Sequence, residues 1–136
     1  MFKVINKNIY VNHGDAMTLT LVNNTDSFVG PSTAEQGGTV EPDQLKFSIC
    51  EKGNYNKMLF QHTFTVQQTA VQVDLEFQNE IMEELWASIP NPSNNEKIYV
   101  YEIELANHNA TLVGRDKKGD KLFIVYPEIT DEEASI

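Results

Sequence analysis

The sequence predicts a mainly β chain, an antiparallel sandwich or barrel of about seven to nine strands with one short helix. Three observations predict it. Apolar side chains recur at every second position in four separate segments. The gaps between most segments are short and carry Gly, Asn, Asp and Lys. A single window, residues 78–89, shifts to a helical period. Alternation with period two is what a half-buried strand requires, and polar turns at short spacing join such strands antiparallel.

In chain order, residues 8–12 place Ile9 and Val11 on one face, and the turn His13-Gly14-Asp15 follows. Residues 16–22 alternate Met17, Leu19 and Leu21 against Thr18 and Thr20. Residues 45–50 alternate Leu45, Phe47 and Ile49 against Lys46 and Ser48. The turn Lys52-Gly53-Asn54 separates them from a weaker strand over 57–64. Val71, Val73, Leu75 and Phe77 oppose Gln72, Asp74 and Glu76. Tyr99, Tyr101, Ile103 and Leu105 oppose Glu102 and Glu104. Weaker strands over 110–114 and 121–126 flank the turn at 116–120. A one-residue slip would carry each apolar set out to water, so the register is strongly fixed.

Over 78–89, Ile81, Leu85 and Ile89 recur every four residues with Met82 and Trp86 alongside, while Glu80, Glu83 and Glu84 lie opposite. That is an amphipathic helix of about three turns. Pro90 and Pro92 end it, because proline lacks the amide donor and restricts its predecessor. Its carboxylates favour the positive end of the helix dipole. The helix is expected to cross between sheets and cover one end of the core.

Residues 23–44 form the longest stretch without a periodic signal, and connections of that length are often functional. Within it Phe28 and Val29 are either a short edge strand or a partner-contact loop. The whole chain, 1–136, reads as one sandwich domain whose acidic tail from about residue 130 is expected to fray.

Twenty acidic residues against ten basic ones give a formal charge of −10. Phosphate backbones and anionic membrane surfaces are repelled by that charge, so neither a nucleic acid nor a membrane is an expected partner. The start, MFKVINKNIY, has lysines that interrupt any secretory apolar region, and no run is long enough to span a bilayer. The expectation is synthesis without an export signal. Cys50 is the single cysteine, which precludes an internal disulfide and a Cys-rich zinc site.

Neither an enzyme nor a cofactor is expected. His13, His62 and His108 fall in separate elements without metal-ligand spacing. Cys50 has no accompanying His or Asp motif, so a free, inert thiol is expected. Glu102 and Glu104 share a strand face, where like charges suit a solvated surface better than an acid/base pair. Asp131, Glu132 and Glu133 lack the glycine and alternating ligands of a calcium loop. Gly37-Gly38 and Gly114 precede no phosphate-cradling helix start. Trp86, Tyr99 and Tyr101 can be read as a sugar-stacking platform, but the two tyrosines sit at inward positions of a central strand and are assigned to the core. Trp86 lies on the flank of the helical stripe.

The order of these segments resembles a known family. A short start strand is followed by IYVNHGDAMTLTL, then EPDQLKFSICEK, a helix, IYVYEIEL and finally KLFIVYPEIT. This is similar to the small β-sandwich proteins of tailed-phage structural gene clusters, in particular the N-terminal domain of baseplate upper proteins. The matching features are the Gly14-Asp15 pair entering a long strand, Asp43 before Leu45, Phe47 and Ile49, the strand Tyr99 to Leu105, and the ending Phe123 to Glu128. The likeness runs from about Ile9 to Thr130. It implies an immunoglobulin-like sandwich, a non-enzymatic structural or adaptor role in the baseplate or tail, and location in the virion. The implied partners are other phage structural proteins and further copies of the chain, as a homo-oligomer in the particle. Phe28, Val29 and Trp86 are the expected contact residues. A carbohydrate-binding module for host-surface adhesion is the alternative; it requires a row of exposed aromatic side chains.

Overall fold

The computed structural model describes residues 2–22, 43–66, 72–106 and 110–129. Among these residues the order is β1 (Phe2–Ile5), β2 (Asn8–Asn12), β3 (Met17–Val22), β4 (Asp43–Glu51), β5 (Asn54–Val66), β6 (Gln72–Phe77), α1 (Asn79–Ser88), β7 (Lys97–Leu105), β8 (Ala110–Val113) and β9 (Leu122–Tyr126). Among the described residues the protein is mainly β with one helix, as the alternation requires.

The strands divide unequally. Seven form one sheet in the order β1-β2-β9-β7-β4-β5, with β8 also on β7; β3 and β6 form a separate pair. Along the flank of β7 opposite β4, Lys97–Val100 pair with β9 and Ile103–Leu105 with β8. Between these stretches the Tyr101 amide donates to the Lys121 carbonyl at 3.0 Å. The expected all-antiparallel arrangement is corrected at one place: β2 and β9 run parallel, Ile9 facing Phe123 and Val11 facing Val125, so the large sheet is mixed. Parallel neighbours need a long connection, and here nearly the whole chain separates the two strands.

Register explains the layers. Leu45, Phe47 and Ile49 of β4 oppose Leu105, Ile103 and Tyr101 of β7, all buried, while Lys46 and Ser48 oppose Glu104 and Glu102 on the outer face. In the small sheet Met17, Leu19 and Leu21 oppose Phe77, Leu75 and Val73. Outside, the Thr20 hydroxyl donates to Asp74 at 2.8 Å. The two sheets share one core centred on Phe47. Its ring lies 4.9 Å from Phe77 of the small sheet and 5.5 Å from Tyr101, with Phe60 and Phe123 each at 6.3 Å. Helix α1 adds Leu85, and Ile89 just beyond it, both fully buried. Its first and last residues fall one inside the window that periodicity marks, because Gln78 and Ile89 are extended caps.

Candidate functional site

The face of the large sheet turned away from the core is not flat. Ser48 and Cys50 of β4 with Val100, Glu102 and Glu104 of β7 floor a groove of about 350 Å³. Tyr55, Met58 and Gln61 of β5 form one wall, and Arg115 and Asp120, which bracket the turn before β9, form the other. That turn is tight: Asp116 and Gly119 exchange backbone hydrogen bonds of 3.1 and 2.9 Å, and Gly119 sits at φ +103°, a conformation favouring glycine.

Tyr55 links the two walls. Its hydroxyl donates to Asp120 Oδ2 at 2.8 Å and accepts from Arg115 Nη1 at 3.1 Å. The Arg115 guanidinium lies 5.8 Å from the centre of the same ring. On the floor the Gln61 amide donates to Ser48 Oγ at 3.0 Å. Asp120 Oδ1 is buried without a hydrogen bond, and the nearest cation, Arg115 Nε, is 3.8 Å away.

Electrostatics follow from burial among carboxylates. Desolvation pushes the Cys50 thiol up, and Glu102 and Asp120 add to it. The thiolate fraction at neutral pH therefore falls, which opposes a nucleophilic role. Desolvation, then the neighbouring Glu104 charge, raise Glu102, while Lys46 acts in the opposite sense. Lys46 itself pairs with Glu104 at 3.4 Å. Glu102, expected on a solvated face, is half-buried in the groove. What the groove offers a ligand is acceptor capacity on carboxylates beside an exposed aromatic ring, which suits hydroxyl or amine donors and repels anions.

A second cleft, of about 450 Å³, lies between β3 and the β7–β8 end of the large sheet, lined by Leu19, Leu21, Ile103, Leu112 and Val113 among others. Among the described residues that line it there is no carboxylate, histidine or thiol.

Trp86 is half-buried in a clamp. Its indole N–H donates to the Asp15 carbonyl at 2.9 Å, its ring stacks on Phe123 at 6.2 Å, and His13 lies 4.7 Å away. His13 in turn donates from Nε2 to the Ile89 carbonyl at 2.6 Å, leaving Nδ1 3.6 Å from the Glu128 carboxylate. Between them Gly14 holds φ +92°, and a side-chain carbon there would meet Glu128 at 2.8 Å. The Gly14-Asp15 pair thus ties the entry of β3 to the end of the helix and to the strand exit after β9.

Phe28 and Val29 lie outside the described residues, as do His108, the Gly37-Gly38 pair and Asp131 to Glu133. The structure brings neither His13 nor His62 to a metal-type cluster, and among the described residues no group of three His, Cys, Asp or Glu side chains could hold a metal ion. His62 sits in mid-strand with its ring edge-on to Phe64 at 4.7 Å. Tyr99 and Tyr101 are in the core at 3 % and 4 % exposure, as their alternation indicates. The Tyr101 hydroxyl donates to the Lys7 carbonyl. Sequence reasoning missed Tyr55, Arg115 and Asp120, whose only local signal is their position beside turns; Tyr55 and Asp120 stand 65 residues apart.

The large sheet ends on two unequal strands. β1 is four residues long, whereas β5 runs for thirteen. From Phe60 to Val66, β5 keeps an unbroken antiparallel register with β4, and the irregularities fall only at Ile49 to Glu51. Its other edge has no strand partner among the described residues. No protein-family model, curated protein or solved structure matches this chain.

Proposed function

We propose that this chain is a non-enzymatic structural or adaptor protein of a tailed-phage or prophage particle, placed in the baseplate or tail and acting by protein–protein assembly in the virion. The observation that carries the reading is the outer edge of β5, which has no strand partner among the described residues. An edge strand is a template for another chain, and soluble proteins ordinarily blunt it with charge, proline or shortness. The stretch 60–66 uses none of these. Further support comes from the resemblance: Gly14-Asp15 leads into β3, Asp43 opens β4, and the quoted Tyr99 to Leu105 strand is β7. The reading takes the sandwich as immunoglobulin-like, with the β3–β6 pair and α1 covering the face that a full second sheet would cover.

Mass spectrometry of purified particles from the host strain that carries the coding sequence tests the proposal. The chain should be present at a fixed, multiple copy number relative to the other tail proteins. Particles that lack it refute the proposal.

The groove favours a second reading, a carbohydrate-binding module. Tyr55 is 51 % exposed, and Glu102, Glu104, Asp120 and Ser48 beside it can accept from sugar hydroxyls. Calorimetric titration with host cell-wall polysaccharide should then give saturable heat that Tyr55→Ala removes. No heat with the wild-type chain excludes it.

A further inference from the structure

We propose that the occupant of the open β5 edge is the β5 strand of a second copy of this chain, paired antiparallel about a two-fold axis at Thr63. This deepens the assembly reading and rests on it for its biological setting, though not for its geometry.

Two chains that each carry −10 repel, and approach is least costly along an uncharged strip. Phe60–Val66, FQHTFTV, holds no Asp, Glu, Lys or Arg. The one charged residue of β5, Lys57, lies at its irregular end and pairs with Glu51 at 3.2 Å. At the opposite end of the sheet β1 carries Lys3 and spans only four residues, which are the usual protections of an edge. Helix α1 contacts β5. Among the described residues no backbone bond from a loop or cap reaches the outer edge of the strand, and amides and carbonyls on such an edge need partners.

The segment is also self-complementary. A two-fold interface brings the same patch from both copies together, so a strand pairs with its own reverse. Centred on Thr63, the segment sets Thr63 against Thr63, Gln61 against Thr65, His62 against Phe64 and Phe60 against Val66. On the exposed face these are hydroxyl and amide pairs. On the core-facing side they are aromatic–aromatic and aromatic–β-branched pairs, and both kinds stabilise an antiparallel ladder. Shifting the centre by two residues to Gln61 brings Leu59 and Met58, at the irregular end, into the ladder. A charged or asymmetric partner strand gains nothing from this symmetry, which is why a second copy is chosen over an unrelated chain.

Sedimentation of the full-length chain tests the inference. A dimer that dissociates on dilution is expected, and it should tighten as salt rises from about 0.01 M to about 0.15 M, where the screening length falls from about 30 Å to about 8 Å. Thr63→Lys sets two like charges face to face at the axis and should weaken the dimer at least about tenfold. Its side chain is exposed, so circular dichroism should show an unchanged fold. Thr63→Cys should give an oxidised covalent dimer, whereas Gln61→Cys, which faces Thr65, should not. A chain that stays monomeric at every concentration overturns the pairing. Protected β5 amides in that monomer would mean that its own segments cover the edge, and exchanging amides would mean that nothing does; either way a second copy is excluded. A dimer whose Gln61→Cys variant crosslinks as readily as Thr63→Cys overturns the register. A monomer found in particles refutes the self-pairing alone, and a dimer absent from particles refutes the virion role alone.

Discussion

Trp86 was expected at a contact surface on the flank of the helix, and its clamp gives that position a separate structural load that can be measured. Trp86→Phe keeps an apolar ring against Phe123 but removes the N–H that reaches the Asp15 carbonyl at 2.9 Å. A hydrogen bond contributes about 0.5–1.5 kcal/mol net. With the smaller ring included, we expect about 2 kcal/mol of destabilisation. Trp86→Ala also removes the stacking on Phe123 and His13; full burial would put it at about 3–5 kcal/mol, and half-burial places it near the lower bound. Urea unfolding followed by far-ultraviolet circular dichroism suits both variants, because the tryptophan signal is lost. For a slope of about 2 kcal/mol per molar urea the midpoint should fall by about 1 M for Phe and about 1.5 M for Ala. An exposed tryptophan with no packing role would shift stability by less than about 0.5 kcal/mol. If Trp86→Phe lies within that band, the clamp reasoning is wrong and the side chain is free for a partner.

Two further outcomes follow from the core. Phe47→Ala empties the point where four aromatic rings from both sheets meet, and it should cost about 4–5 kcal/mol against a total of roughly 7–20 kcal/mol for a chain of this length; a calorimetric loss under about 2 kcal/mol would mean that the sheets do not share this centre. Burial pushes the Tyr101 hydroxyl well above its usual 10.0, so the folded chain keeps that proton while the unfolded chain releases it. Stability from this group is therefore complete below pH 10 and should decline above it by up to about 1.4 kcal/mol per pH unit. The wild-type minus Tyr101→Phe difference in denaturant midpoint isolates this loss, and a difference that stays flat from about pH 9 to 11 contradicts it.

How far the sequence could be read depended on where the stabilising partner of each residue sits. Tyr99 to Leu105 alternate over a long stretch, and every inward residue is buried; the same holds for Leu45, Phe47 and Ile49. The helix was legible because Leu85 and Ile89 share a stripe and Pro90 stops it. Strand β1 left almost no pattern, since Lys3, Val4 and Ile5 are all exposed and it is held by its ladder to β2. β5 proved longer than the expected 57–64 because Gly53, at φ +83°, turns the chain so tightly that Asn54 already pairs with Glu51. The parallel β2–β9 ladder has no local signature, because backbone pairing between distant strands does not depend on which residues lie between them. The groove was illegible for a related reason. Ser48, Tyr55, Glu102 and Asp120 each read as surface residues in their own segments, and only the sheet order brings them together.

The position of β9 bears on synthesis. Among the described strands it is the last to leave the ribosome, yet in the sheet it lies between β2 and β7. Until Leu122–Tyr126 emerge, the β1–β2 hairpin lacks the strand that joins it to the rest of the large sheet. Folding therefore closes late and at long range, which slows it and lengthens the interval in which a nascent chain is exposed to misassociation.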